Sequence, residues 1–343
     1  MPDRDAGSGD PSAVAWPDAL SSVFAGSVTA EYASLTREGA PVTVPTTPYV
    51  GSGTLDISTG LTYPTKAERA RRNPKVCLLF ADPVGSTAGA GAPVVAVQGM
   101  AAVRDADLQA NTDRYVRVSN DKLPAATKGQ PRWVLRRMAW YYVRIWVEIT
   151  PVRIWWWPDR SLSAPPQVWT APERPWPASD PAPDGSPPPA WLPAPTAWSE
   201  EAHHALDQLP WCDLTVVDDD GFPLVVPVTG ATLHAEGFTL ELGTGVPWPT
   251  PGAGADALNG CVTFHTHGEQ FTGQENRTFV GRFNAESGVF LVDRALADWS
   301  LAGGRAKIAT GFLGSGRKLR PRLRAQAARR HQPVPKVRFP GEY

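Results

Sequence analysis

Two stretches of this chain repeat one another, and that repeat limits its architecture more than any other feature. Gly39, Pro41, Val44, Pro45 and Thr47 recur as Gly221, Pro223, Val226, Pro227 and Thr229, at a constant offset of 182. After a three-residue longer turn the offset becomes 185, so that Thr59-Gly60, Tyr63, Pro64 and Thr65 match Thr244-Gly245, Trp248, Pro249 and Thr250. Further on, Asn73 and Val76 match Asn259 and Val262, and the residues around Gly99 resemble those around Gly281. Blocks that recur in order at nearly constant spacing mean a duplication. The 343 residues fit two domains of ordinary size.

Each copy reads as β. Short runs rich in β-branched residues and bounded by Gly, Pro, Asn and Asp cover Tyr32–Thr36, Val42–Thr46, Thr54–Thr59, Lys75–Phe80 and Pro93–Val103. The second copy has Asp213–Val217, Leu224–Thr229, Phe238–Gly243, Cys261–Thr266 and Thr278–Phe283. Helices are expected near Thr65–Asn73, Ala106–Val118 and Pro131–Trp140, the last leading into a pair of strands, Tyr142–Ile149 and Val152–Trp157. The expected fold is mainly β, a small barrel per half with peripheral helices. A tail (1–12) precedes the first barrel (13–157), and a Pro/Trp-rich linker (158–198) joins it to the second (199–304), which a basic tail (305–343) follows.

Thirteen of the 36 prolines fall between Pro158 and Pro195, which excludes a helix or central strand there. Trp169, Trp176, Trp191 and Trp198 would be left wet on a free tether, so the linker is expected to lie against the globular body. A formal net charge of −1 argues against a nucleic-acid partner. No continuous apolar run is long enough to span a membrane, and the acidic N-terminal stretch is not a secretory signal. Cys77, Cys212 and Cys261 are too few and too scattered for a disulfide framework, which points to a reducing, cytoplasmic setting.

One local motif carries chemistry. In Ser58-Thr59-Gly60-Leu61-Thr62-Tyr63-Pro64-Thr65-Lys66-Ala67-Glu68-Arg69, a strand ends in two hydroxyls, a turn follows and a helix starts. Thr65 and Glu68 have capping-box spacing, which places the helix start at Thr65. The start of a helix offers unpaired N–H groups and the positive end of its dipole, so Lys66 is unfavourable there by itself. Beside Ser58 and Thr59 it makes sense as a phosphate ligand. The second copy has Gly243 in place of Ser58 and Pro251 in place of Lys66. One copy keeps the cation and the other has lost it.

The run P-x-T, then L-D-I-S-T-G, then K-A-E-R-x-R-R-N-P-K-V, followed by a V-x-G strand, resembles the pyridoxamine 5′-phosphate oxidase-like superfamily, the flavin-binding split-barrel fold with its flavin and deazaflavin branches. The resemblance is clearest over Leu35–Val103 and implies two tandem split β-barrels. It also implies FMN, or alternatively a deazaflavin coenzyme, with the cofactor phosphate held by Lys66, Ser58 and Thr59. Tyr63 and Thr65 belong to the same turn, and the strand with Thr43, Pro45 and Thr46 would flank the ring. Family members dimerise through their barrels, so the chain is expected to form an intramolecular pseudo-dimer or a homodimer. The implied activity is two-electron redox chemistry on a small intracellular molecule. The substrate arginine and histidine pattern of pyridoxamine phosphate oxidation is absent from the C-terminus, and no side chain stands out as a catalytic acid or base.

Other motifs read more plainly. Cys261, His265 and His267 form C-x3-H-x-H, and both histidines would share one strand face. The segment aligns with an ordinary barrel strand, so no metal site is assigned; haem ligation by either histidine is a lesser alternative to flavin. Trp155-Trp156-Trp157 reads as barrel wall and inter-barrel interface. The eleven Lys and Arg residues from Arg305 to Tyr343 read as a solvated helix face, with Leu319, Leu323 and Ala327 at helical spacing. A non-catalytic barrel pair for ligand binding or protein association is the alternative from another functional class.

Overall fold

In a computed structural model of the chain, which describes residues 16–81, 84, 91–124, 131–186, 197–251, 256–269, 272–296 and 305–341, the strands form two antiparallel sheets. The first contains β1 (Ala30–Leu35), β2 (Pro41–Thr46), β3 (Pro48–Val50), β4 (Leu55–Gly60), β5 (Lys75–Phe80), β6 (Val94–Arg104), β7 (Arg144–Trp157) and β8 (Gln167–Thr170). The second contains β9 (Trp211–Val217), β10 (Pro223–Pro227), β11 (Gly230–His234), β12 (Gly237–Glu241), β13 (Leu258–Gly268), β14 (Thr272–Asn284) and β15 (Val289–Ala295). The first sheet runs β2-β1-β5-β6-β7-β4-β3, with β8 on β7, and the second runs β10-β9-β13-β14-β15-β12-β11. The two paths are the same strand for strand. The fold is mainly β, two tandem split barrels, and the duplication is a duplication of structure.

Seven helices among the described residues lie around the barrels: α1 (Ser21–Gly26), α2 (Thr65–Arg72), α3 (Leu108–Lys122), α4 (Arg132–Arg136), α5 (Ala139–Tyr142), α6 (Trp198–Gln208) and α7 (Arg305–Ala328). None is long and apolar enough to cross a membrane.

Strand register corrects the sequence alignment of the copies. Glu31 lies opposite Pro45, and Asp213 lies opposite Pro227, which keeps the offset of 182. Ala33 pairs with Cys77 and Thr215 with Cys261, an offset of 184 for β5 and β13. The shared signal is therefore Cys77-x-x-Phe80 and Cys261-x-x-Phe264. Gly99 and Gly281 each sit at a register shift, and tracing the ladders through them puts Leu55 with Phe238. On that register Ser58 corresponds to Glu241 and Lys66 to the neighbourhood of Pro249 and Thr250. The turns misled because Gly, Pro and Thr match by composition, whereas register follows from which residues must face inward.

β7 is also one strand where two were expected. Pro151 has no N–H to give the ladder, but it lies opposite Gly99 where the register slips, so the strand continues through a bulge. A Cβ on Gly99 would lie 2.7 Å from the Thr150 carbonyl oxygen, which reserves the position for glycine.

Alternation along each strand gives two cores. Leu55, Ile57, Val97, Ile145 and Val147 fill the first barrel, and Leu214, Phe238, Phe264, Phe279 and Phe290 the second. The second core also takes in Ala33, Cys77, Leu79, Trp155 and Trp157 from the outer face of the first sheet, so the barrels share apolar surface. Trp156 packs on the opposite side, in the first core. A polar seam runs beside these contacts: Thr43 and Thr215 join hydroxyl to hydroxyl, and Thr263 donates to the Thr43 carbonyl at 3.1 Å. Arg153 reaches Asp220 at 2.6 Å, and Gln98 donates to Asp218 at 2.7 Å.

The remaining segments are divided between the barrels: Leu162 at the start of the linker and Ala202 and Ala205 of α6 are buried in the second core, whereas β8, the segment around Asp180 and α7 lie on the first barrel. β8 pairs with β7, Trp169 packs on the first core, and the Asp180 amide donates to the Val103 carbonyl. Leu319, Leu323 and Ala327 of α7 are buried in the first core and not solvated, because three apolar residues on one helix stripe find an apolar wall there. Arg330, beside them, pairs with Asp105 at 2.8 Å.

A candidate anion site at the head of α2

The turn between β4 and α2 is built largely by its own backbone. Thr59 donates its hydroxyl to the Tyr63 carbonyl at 2.8 Å, and the Tyr63 amide donates to the Gly60 carbonyl. Helix α2 starts at Thr65, but not through the expected capping box: Pro64 is the cap residue, and no side chain caps the helix. The amides of its first turn are left without a side-chain acceptor.

Lys66 stands in that first turn, half-buried, with its pKa lowered to about 8. Burial is the main cause, followed by the positive charges of Arg144 and Arg69. Arg144 lies opposite Gly60 on β7. Its guanidinium is held over the rings of Tyr115 and Tyr141, at 4.2 and 4.7 Å, and donates to the Tyr115 hydroxyl at 2.9 Å. Burial works against its charge, and the phenols of Tyr115, Tyr141 and Tyr49 more than offset that. Arg69 lies one helical turn along from Lys66, with its pKa lowered chiefly by burial. Lys66, Arg69 and Arg144 form no ion pair among the described residues, whereas Arg71, Arg104, Arg114 and Arg153 nearby all do. The Nε–H of Arg144 is buried without an acceptor. Three cations, a buried unpaired donor and an uncapped helix start come together where, among the described residues, no carboxylate pairs with them. That is the chemistry of an anion site.

The structure divides the residues that sequence reasoning grouped together. Ser58 shares an outward face of β4 with Gly60, and its hydroxyl has no partner among the described residues. Thr59 points to the other face, its hydroxyl committed to the turn. Tyr63 is half-buried, its phenol pKa raised by burial against the pull of Arg322, which donates from α7 to the Thr62 carbonyl at 2.6 Å. Thr65 is exposed at the helix start. Thr43, Pro45 and Thr46 are buried on β2, with Thr43 hydrogen-bonded across the seam and Pro45 opposite Glu31. Sequence reasoning missed Arg144, Tyr115 and Tyr141. The one signal for Tyr141 and Arg144 was the aromatic run Tyr141-Tyr142-Val143-Arg144 entering a strand, and Tyr115, on α3, had none.

Among its described residues the second copy has neither the helix nor the strand segment that builds this site. Among the described residues between β12 and β13 there is no helix. β15 begins at Val289, the counterpart of Glu148, so the part of β7 that carries Arg144 has no equivalent strand. The corresponding turn is filled by the chain itself: the Gly245 amide donates to the Leu162 carbonyl at 2.7 Å, and a Cβ on Gly243 would lie 2.4 Å from the Ser161 carbonyl oxygen.

His265 and His267 do share a face, with their rings parallel and 6.4 Å apart. The groups closest to His265 come from outside the C-x3-H-x-H pattern. Its Nε2 lies 2.8 Å from Asp213 and 3.6 Å from Glu31.

No family model and no curated protein matches the chain. Solved structures do. A putative pyridoxamine 5′-phosphate oxidase from Listeria innocua aligns with 20% identity over 40% of this chain and 94% of its own, with a TM-score of 0.29. An F420 reductase aligns with 17% identity over 40% of this chain and 98% of its own, TM-score 0.31. A conserved hypothetical protein from Mycobacterium tuberculosis aligns with 21% identity over 45% of this chain and 92% of its own, TM-score 0.33. Each of these chains is spanned almost whole by less than half of the present one, which carries its split-barrel sheet twice.

Proposed function

We propose that the first barrel binds FMN or a deazaflavin coenzyme by its phosphate, and that the protein is an oxidoreductase acting on a small molecule. The observation that carries this reading is the cationic group of Lys66, Arg69 and Arg144 at the head of α2, without a carboxylate partner among the described residues and with the buried Nε–H of Arg144 unpaired. A dinegative phosphate ester supplies the missing charge and the missing acceptor. Lys66 would neutralise it, Arg144 and the α2 amides would donate hydrogen bonds, and the Ser58 hydroxyl is free to add one. When bound, the cofactor supplies two-electron chemistry, and the protein supplies orientation and electrostatics.

Thr43, Pro45 and Thr46 would flank the ring: their strand lies against the second barrel, so a ring beside it would be walled by both copies. Only the first copy has the phosphate end, which predicts one cofactor per chain. FMN titration followed by flavin fluorescence tests the reading. Lys66→Ala should weaken binding at least about tenfold, since a charge-assisted hydrogen bond contributes about 1.5–3 kcal/mol. Equal affinity in wild type and variant would remove the assignment.

A further inference from the structure

Glu31, Asp213 and His265 come from three strands, two of them in different barrels, and meet inside the seam. They are 1%, 1% and 3% exposed, and their nearest ligand atoms all lie within 4.8 Å of one another. Glu31 and Asp213 are duplicates of one another, each opposite the matching proline of its own copy, so the repeat brings two like charges together about its pseudo-twofold relation. His265 breaks that relation. On the strand register its counterpart in the first copy is Ala81.

One imidazole and two carboxylates, all buried, meet here at metal-ligand spacing. Two carboxylates this close favour a cation or a proton between them. The ring has no hydrogen-bond partner at Nδ1, and its Nε2 is aimed at both carboxylates at once, at 2.8 and 3.6 Å. Two donors bound to one zinc ion at about 2.0–2.2 Å with tetrahedral angles stand about 3.4 Å apart. The observed separations fall on either side of that value.

We propose that Glu31, Asp213 and His265 hold a divalent transition-metal ion of the zinc class, which ties the first barrel to the second. One imidazole nitrogen and two carboxylate oxygens match the ligand preferences of Zn²⁺, with a fourth position for water. The site stands apart from the head of α2 and is independent of the cofactor reading.

The test uses the untagged full-length chain, stripped with a chelator and dialysed against Zn²⁺ or Co²⁺. Wild type should retain about one equivalent of metal after gel filtration, show the visible bands of Co²⁺ in a low-coordinate site, and unfold at a higher temperature with Zn²⁺ than without. The double variant Glu31→Gln/Asp213→Asn, nearly isosteric, should lose the bands and the thermal shift, while His203→Ala/His331→Ala on the surface should keep both. No metal retained by wild type overturns the proposal whatever the variants do, and leaves a shared proton as the resolution of the charge. Co²⁺ bands that persist in the carboxylate variant, or vanish in the surface variant, overturn it as well.

Discussion

Lys66 is a residue whose folded environment works against its charge. Its pKa of about 8 lies below the ordinary lysine value of about 10.4, so between these pH values the unfolded chain binds more protons than the folded one. Stability therefore rises with pH across that window, and the burden of burying the ammonium is fully present below pH 8. Lys66→Met should raise the melting temperature of the cofactor-free protein by a few degrees at pH 7. The gap to wild type should shrink as pH rises from 8 and close above about pH 10.4, once the lysine of the unfolded chain also loses its proton. The same variant should lose the thermal stabilisation that inorganic phosphate gives wild type, and in wild type that stabilisation should fade as pH passes 8. Differential scanning fluorimetry over a pH series reads both effects; a Lys66→Met variant less stable than wild type at pH 7 would contradict the argument. The place of this lysine in the first turn of α2 was legible in the sequence, where a cation asks for a reason. Arg144 was not: it reaches the site through the β4–β7 ladder, and no local pattern reports which strands become neighbours.

At the level of elements, equivalent turns have been put to different uses. Gly60 and Gly243 occupy one position in the two copies. A Cβ at Gly60 meets nothing closer than 3.7 Å, whereas at Gly243 it would lie 2.4 Å from the Ser161 carbonyl oxygen and 2.5 Å from Leu162. Gly60→Ala should change stability by less than about 0.5 kcal/mol. Gly243→Ala should cost about 1–3 kcal/mol, by forcing apart well-packed segments. It should also open the chain near Ser161 to limited proteolysis. Equal melting temperatures for the two variants would show that the linker does not fill the second turn. Most strands were legible because alternation and turn residues mark them locally. The burial of α7 was not: Leu319, Leu323 and Ala327 announce a stripe, and only the assembled barrel supplies the wall against which it packs. The start of α2 was found at the right residue for the wrong reason, since Thr65 lies one position inside the helix it was expected to cap.

At the scale of the whole molecule, the second core contains residues of the first sheet, so neither barrel can unfold without exposing apolar surface of the other. Calorimetry should show one endotherm for the two barrels, and two well-separated transitions would disprove the coupling. A double-mutant cycle of Thr43→Val and Thr215→Val should give a coupling of about 1 kcal/mol for the hydroxyl pair across the seam. The duplication was visible in the sequence, but the strand order within each sheet and the pairing of the copies in space were not. Glu31 and Asp213 were matched in principle by the first offset, yet only folding shows that the matched residues meet. In a dimer of identical subunits each substitution is made twice, and a group near the axis must tolerate its own image. Here the two images are written separately. A histidine can stand across from an alanine, a lysine can survive on one side while its opposite number becomes a turn of prolines, and a loop can grow into the vacated place without harming the side that still needs it.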